Sequence, residues 1–218
     1  MSLDPVAEPS APAVLTEPGV LAEPGVLRIG VDGTMGGRSG GYDKFFGELG
    51  GVYADEAAFE AAVLEGGGDD LAYHVEEHRN VDGAGGLIVG TSALLPGRVG
   101  DEFAVTRGHL HARADRAELY HCLSGRGVML LETLSGQSRA IAMSPGDAVH
   151  VPGHWIHRSV NVGEAPFVTL FCYAADAGQD YAVIAEAGGM AQLVISDGAG
   201  GWTTRPNPRH VGYRAARS

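Results

Sequence analysis

An all-β fold, an antiparallel sandwich or barrel carrying a single helix, is what this 218-residue sequence predicts, on three observations. Short apolar runs recur at near-regular spacing from residue 71 onward. Turn dipeptides such as Pro96-Gly97, Ser124-Gly125, Ser135-Gly136, Pro145-Gly146 and Val162-Gly163 separate them. Glycine is abundant, at 34 residues, while aromatics make up 7%, a balance that suits many turns. Hydrophobic content of 44% over this length suffices for one domain with a real core.

Residues 1–26 are rich in Pro, Ala, Val and Glu, and Val14-Leu15-Thr16-Glu17-Pro18-Gly19 is nearly repeated as Val20-Leu21-Ala22-Glu23-Pro24-Gly25. Regular prolines forbid a helix and weaken any strand, so this segment reads as a mobile or surface-draped N-terminal arm. One domain is expected over 27–218. Residues 33–51 are glycine-rich and irregular and read as a loop laid over the core. The single helix spans 54–65: Asp55 caps it, alanines fill it, Phe59 and Val63 form an apolar stripe, and Gly66-Gly67-Gly68 stops it. Strands are expected at 71–75, 87–94, 102–106, 118–123, 127–132, 139–143, 148–151, 157–162, 167–173 and 192–195.

The formal net charge is −12 and no Lys/Arg cluster stands in the sequence, which argues against a nucleic-acid partner. No apolar run approaches a membrane span and no basic-then-apolar leader opens the chain, so no membrane partner and a cytoplasmic location are expected. Cys122 and Cys172 both sit in apolar strand-like runs and read as buried free thiols.

His109 and His111 are two residues apart, so on a strand both imidazoles point to one side. Glu118 opens the next apolar run, and His157 stands in a later one. Three imidazoles and a carboxylate suit Fe(II), Mn(II), Ni(II) or Zn(II), a choice the spacing leaves open. Around these residues lie two longer patterns: His109-x-His111, Glu118 and Gly125, then Gly146, Pro152, His157 and Asn161. With both internal spacings kept, they resemble the two motifs of the cupin family. The resemblance implies a jelly-roll-like β-barrel whose metal-binding core covers about 85–175. It also implies one divalent ion per subunit, Fe(II) favoured, held by His109, His111, Glu118 and His157. His74, His78, His121, His150, His154 and His210 have no partner at ligand spacing.

The six residues between His111 and Glu118 narrow the resemblance. With Thr106-x-Gly108-His109-x-His111, Glu118-x-Tyr120, the run from Tyr173 to Tyr181, and Asn207-Pro208-Arg209, the chain resembles the cupin-type phosphoglucose isomerases over about 50–210. That family implies interconversion of glucose 6-phosphate and fructose 6-phosphate, and a homodimer. Two adjacent sugar oxygens would reach the ion, which would polarise the carbonyl while hydrogen moves between C1 and C2. Glu118 is the carboxylate placed to act as base, and Tyr120, two residues on, could shuttle a hydroxyl proton or simply pack in the core. A hydride shift would need neither. Family members hold the phosphate with hydroxyls and backbone amides, and the matching positions are Tyr73, Ser92, Thr106, Gly108, Tyr173 and Tyr181. Similar isomerases read Tyr-Pro-Ala-Asp-Ala-Gly-His-Asp-Tyr-Gly where this chain has Tyr173-Ala174-Ala175-Asp176-Ala177-Gly178-Gln179-Asp180-Tyr181-Ala182. Gln179 therefore replaces a titratable histidine with an amide. Two other readings share these residues: a sugar-phosphate-binding cupin without turnover, which Gln179 favours, and an Fe(II) dioxygenase, against which the long His111–Glu118 gap speaks.

Overall fold

The computed structural model describes residues 23–79, 83 and 85–214. Of the expected N-terminal arm, only residues 23–26 fall within it, and they are exposed. The strands in chain order are β1 (Arg28–Ile29), β2 (Met35–Gly36), β3 (Gly40–Phe45), β4 (Leu71–Arg79), β5 (Leu87–Leu94), β6 (Arg98–Val99) and β7 (Glu102–Val105). They continue as β8 (Glu118–Ser124), β9 (Gly127–Thr133), β10 (Ser138–Met143), β11 (Ala148–Val151), β12 (Trp155–Asn161), β13 (Phe167–Ala174), β14 (Gln192–Ser196) and β15 (Trp202–Pro206). Two α-helices lie among the described residues, α1 (Glu56–Leu64) and the short α2 (Ala182–Glu186).

Among the described residues the strands form three antiparallel sheets: the small β1–β2 hairpin and two large ones. One large sheet runs β11-β8-β13-β5-β4-β3, the other β10-β9-β12-β7-β14-β15 with β6 also on β7. Tyr120, Phe171, Tyr173 and Val75 of the first sheet share one core cluster with Leu131, Val160 and Val105 of the second. This is the expected β-barrel of cupin type. Each of the ten predicted strands is present, with ends shifted by a few residues at most.

Helix α1 starts where the sequence places it: the Asp55 carboxylate accepts the Ala58 N–H at 2.9 Å. Its Phe59 ring packs 4.9 Å from Phe46 and 5.8 Å from Tyr53, which seats the helix on the barrel end. Asn161 of the second motif has a structural task. Its Nδ2 donates to the Leu94 and Ala165 carbonyls, each at 2.9 Å, and its Oδ1 accepts the Gly163 N–H, fixing the turn after β12.

Residues 33–51 are not a loop. They hold β2, the edge strand β3 and a 3₁₀ turn at Phe46–Leu49. The glycines that disguise β3 are there for closeness: a Cβ on Gly41 would stand 2.6 Å from the Val75 carbonyl oxygen on β4. Helix α2 also went unread, because five residues carry no period.

The β1–β2 hairpin is clamped from outside the barrel by Glu76 on β4. Its buried carboxylate accepts the Met35 N–H and pairs with Arg38. Burial alone would raise the Glu76 pKa, but the hydrogen bonds from Met35 and His74 and the charge of Arg38 outweigh it and hold it below its ordinary value. A lowered carboxylate pKa contributes stability above the unfolded-state value, lost as pH falls through the folded one. Below pH ~4.5 the hairpin is therefore expected to loosen. Hydrogen exchange at the Met35 amide should accelerate there ahead of core strands such as β12, and Glu76→Gln should show the same acceleration at neutral pH.

Candidate metal centre and active-site cavity

The first ligand pair does not lie on a regular strand. His109 forms an isolated bridge with His157: each N–H donates to the other's carbonyl, at 3.1 and 3.0 Å. Leu110 bridges Asp180 in the same way. The chain is extended across these residues, so the alternation that puts both imidazoles on one side survives. Glu118 is the first residue of β8 and His157 the third of β12, facing each other across the barrel interior.

His109, His111, Glu118 and His157 are all buried, and a ligand atom from each lies within 4.8 Å of the others. Glu118 Oε2 is 2.9 Å from His157 Nε2, 3.2 Å from His111 Nε2 and 3.9 Å from His109 Nε2. The far side of two rings is fixed. His111 Nδ1 meets the Arg116 carbonyl at 2.9 Å, and His157 Nδ1 meets the Trp155 carbonyl at 3.0 Å. A carbonyl only accepts, so both Nδ1 atoms carry protons, and each Nε2 faces the carboxylate. His109 Nε2 is buried with no hydrogen-bond partner among the described residues. The His111 and His157 Nε2 atoms can each be joined to the carboxylate by a shared proton or by a shared cation, and a divalent ion would be held by the same atoms. The donor set thus fits a divalent metal ion.

Electrostatics point the same way. Burial pushes His109 well below its ordinary pKa, leaving it neutral. Burial would also lower His111, but hydrogen bonds to Glu118 and the Arg116 carbonyl reverse the effect and raise it. Glu118 is opposed by burial, yet hydrogen bonds from His111 and His157 hold it down to about 2, so it is ionised. Tyr120 shares the inner face of β8 with Glu118, and burial followed by the charge and hydrogen bond of Glu118 push its hydroxyl pKa well above the usual value.

The long insertion after His111 is braced. Arg116 forms a two-pronged pair with Asp176, Nε to Oδ1 and Nη2 to Oδ2, each at 2.9 Å, and Arg113 reaches the same carboxylate at 2.8 Å. Because the Arg116 carbonyl orients His111, this pair ties the metal ligand to the segment that leads into Gln179 and Tyr181.

A cavity of about 370 Å³ opens onto the centre. Glu118, Tyr120, His109 and His157 line it, and so does every residue expected to hold substrate: Tyr73, Ser92, Thr106, Gly108, Tyr173, Gln179 and Tyr181. His111 lies behind the wall. The Tyr181 hydroxyl donates to Gln179 Oε1 at the rim. Arg79, Arg107 and Arg158 line the cavity too, and these the sequence did not reveal. They come from β4, the turn after β7 and β12, so the absence of a basic cluster in the sequence did not mean an absence of basic groups at the site. Arg107 lies 5.1 Å over the Tyr181 ring. His154, beside Trp155, is absent from the lining.

The chain is similar in sequence to known proteins over most of its length. The chain is 49% identical to "Putative glucose-6-phosphate isomerase 1" of Rhizobium meliloti (strain 1021) over 81% of its length and 82% of the relative's. It is 50% identical to "Glucose-6-phosphate isomerase" of Sinorhizobium medicae (strain WSM419), over 78% of this chain and 79% of that one. Identity to the protein of the same name from Thermococcus litoralis is 42%, over 74% and 83%. Residues 43–210 match the family model of glucose-6-phosphate isomerase (GPI), the span that carries the centre and its cavity, and the chain belongs to that family.

Proposed function

We propose that this protein is a metal-dependent glucose-6-phosphate isomerase, interconverting glucose 6-phosphate and fructose 6-phosphate. The observation that carries the reading is the buried three-histidine, one-glutamate cluster opening onto a cavity lined by hydroxyls, in a chain of this family. The ion, taken as Fe(II), supplies Lewis-acid polarisation of adjacent oxygens on the open-chain sugar. His109, His111, Glu118 and His157 would hold it, and the cavity opens onto that cluster.

The chain's own groups divide the remaining work. Tyr120 keeps its proton, since its pKa lies far above neutrality, and its hydrogen bond to Glu118 places a donor and an ionised acceptor together beside the reacting carbons. Tyr73, Ser92, Thr106, Gly108 and Tyr173 supply hydroxyls and backbone for the phosphate end. Gln179 has no proton to exchange near neutral pH, so it acts by orienting the Tyr181 hydroxyl through their hydrogen bond. The working unit is one domain over 27–218, in the cytoplasm, as a homodimer.

A coupled assay on protein reconstituted with each of Fe(II), Mn(II), Ni(II) and Zn(II) tests the proposal. Glucose 6-phosphate should accumulate from fructose 6-phosphate with at least one ion, and chelator should stop it. Tight binding of fructose 6-phosphate without conversion under any ion would instead identify a non-catalytic binder.

A further inference from the structure

One buried guanidinium beside the cavity is bonded less than its burial demands. Arg158 follows the metal-site His157 on β12 and is 4% exposed. Among the described residues it makes no carboxylate ion pair, unlike Arg38, Arg113, Arg116, Arg205 and Arg209. Among the described residues its Nε–H has no acceptor, and its Nη2 donates to the Arg107 carbonyl at 2.7 Å. Glu102 and Glu132 temper the charge only from a distance. A buried cation held so sparingly costs stability, and such a cost persists where a ligand or a function answers it.

The bond to Arg107 has a stereochemical consequence. The 107–108 peptide is trans, so its C=O and its N–H point in opposite directions across one plane. With the carbonyl turned onto the Arg158 guanidinium, the Gly108 N–H is turned away from it. The neighbouring amides are committed, Thr106 N–H to the Ser159 carbonyl at 3.0 Å and His109 N–H to the His157 carbonyl at 3.1 Å. The Arg107 N–H turns to the Tyr73 hydroxyl, whereas among the described residues the Gly108 N–H meets no acceptor. The turn also lies hard against β12: Gly108 has φ +70°, and a Cβ there would stand 2.9 Å from the His157 oxygen and 3.0 Å from Arg158 Cβ. Thr106, Arg107 and Gly108 all line the cavity.

We propose that Arg158 is the positioning residue of the phosphate subsite: its guanidinium seizes the Arg107 carbonyl, directs the Gly108 N–H to the cavity, and sets a buried positive charge behind that amide for the substrate's phosphate. The inference rests on the sugar-phosphate reading above and adds to it a cation that never leaves the protein interior. In a low-dielectric setting such a charge is screened little by salt, unlike that of the exposed Arg107.

The test uses full-length, Zn(II)-loaded, ¹⁵N-labelled protein titrated with inorganic phosphate, alongside kinetics on fructose 6-phosphate. The Gly108 amide resonance is expected to move most among assigned amides. Arg158→Met should weaken phosphate binding about tenfold, the loss of one charged hydrogen-bond partner, and raise KM by more than it lowers kcat. Arg158→Lys should recover part of both. A folded Arg158→Met protein with unchanged phosphate affinity overturns the proposal. If Arg158→Met does not fold, a wild-type Gly108 amide that ignores phosphate overturns it instead. A wild-type chain whose Gly108 amide responds to phosphate but which converts no sugar phosphate keeps this inference and removes the isomerase reading.

Discussion

His111→Ala is expected to abolish metal retention and lower kcat/KM on fructose 6-phosphate by about 10³-fold or more, the several kcal/mol that a resident ion contributes to charge stabilisation. The argument is one of ligand count and direction. His111 Nε2 stands 3.2 Å from Glu118 Oε2, and its Nδ1 is locked to the Arg116 carbonyl, so the ring cannot swing and no neighbour can replace it. Removing it also takes a hydrogen bond from Glu118, leaving a buried carboxylate with fewer partners. Metal content by elemental analysis and the melting temperature with and without added ion are the measurements: the stabilisation that metal gives the wild type should vanish in the variant. His150→Ala, on the exposed face of β11, is the control and should retain both metal and rate. An His111→Ala protein that keeps its ion and its activity would place the working centre elsewhere.

The sequence shows some parts of this molecule far better than others, for physical reasons. Strands such as β5 and β11 were legible to the residue because turn residues stand close to both ends, Gly86 and Pro96-Gly97 for β5, Pro145-Gly146 and Pro152-Gly153 for β11. The four clustered residues were legible through the resemblance to the two cupin motifs, and the seven cavity residues through the resemblance to the cupin-type isomerases, not through periodicity. What escaped was whatever depends on distant approach. β3 was hidden because Gly40 and Gly41, which let it lie against β4, look like loop residues in isolation. Arg79, Arg107 and Arg158 were hidden because neighbours in the cavity are far apart along the chain, and a basic patch formed by folding leaves no cluster to read. The sequence places His109 and His111 on one side as on a strand, whereas an isolated bridge between His109 and His157 is what aims the first ring.

Gly125→Ala is expected to destabilise the fold by about 2–5 kcal/mol, the sum of left-handed backbone strain and an overpacked contact. Gly125 has φ +78° in the turn between β8 and β9, and a Cβ there would stand 2.2 Å from the Pro166 carbonyl oxygen and 2.9 Å from Phe167 Cα. Both obstacles are backbone, so relief requires moving β13 or the hairpin rather than a side chain. Gly136→Ala, in the β9–β10 turn, separates the two terms, because it shares a positive φ, +88°, but has nothing within 4 Å of the added Cβ. Its cost should be about 1 kcal/mol, the strain alone. Urea unfolding of the metal-free variants measures the difference. The hairpin shift has a second effect, for β8 carries Glu118 while β9 pairs Leu131 with His157 on β12. Turning β8 against β9 changes the distance between two ligands of one ion, so Gly125→Ala should also bind metal more weakly, and Gly136→Ala should not. Equal unfolding costs for the two variants would mean that backbone conformation, and not the contact with Pro166, is what makes glycine necessary in the first motif.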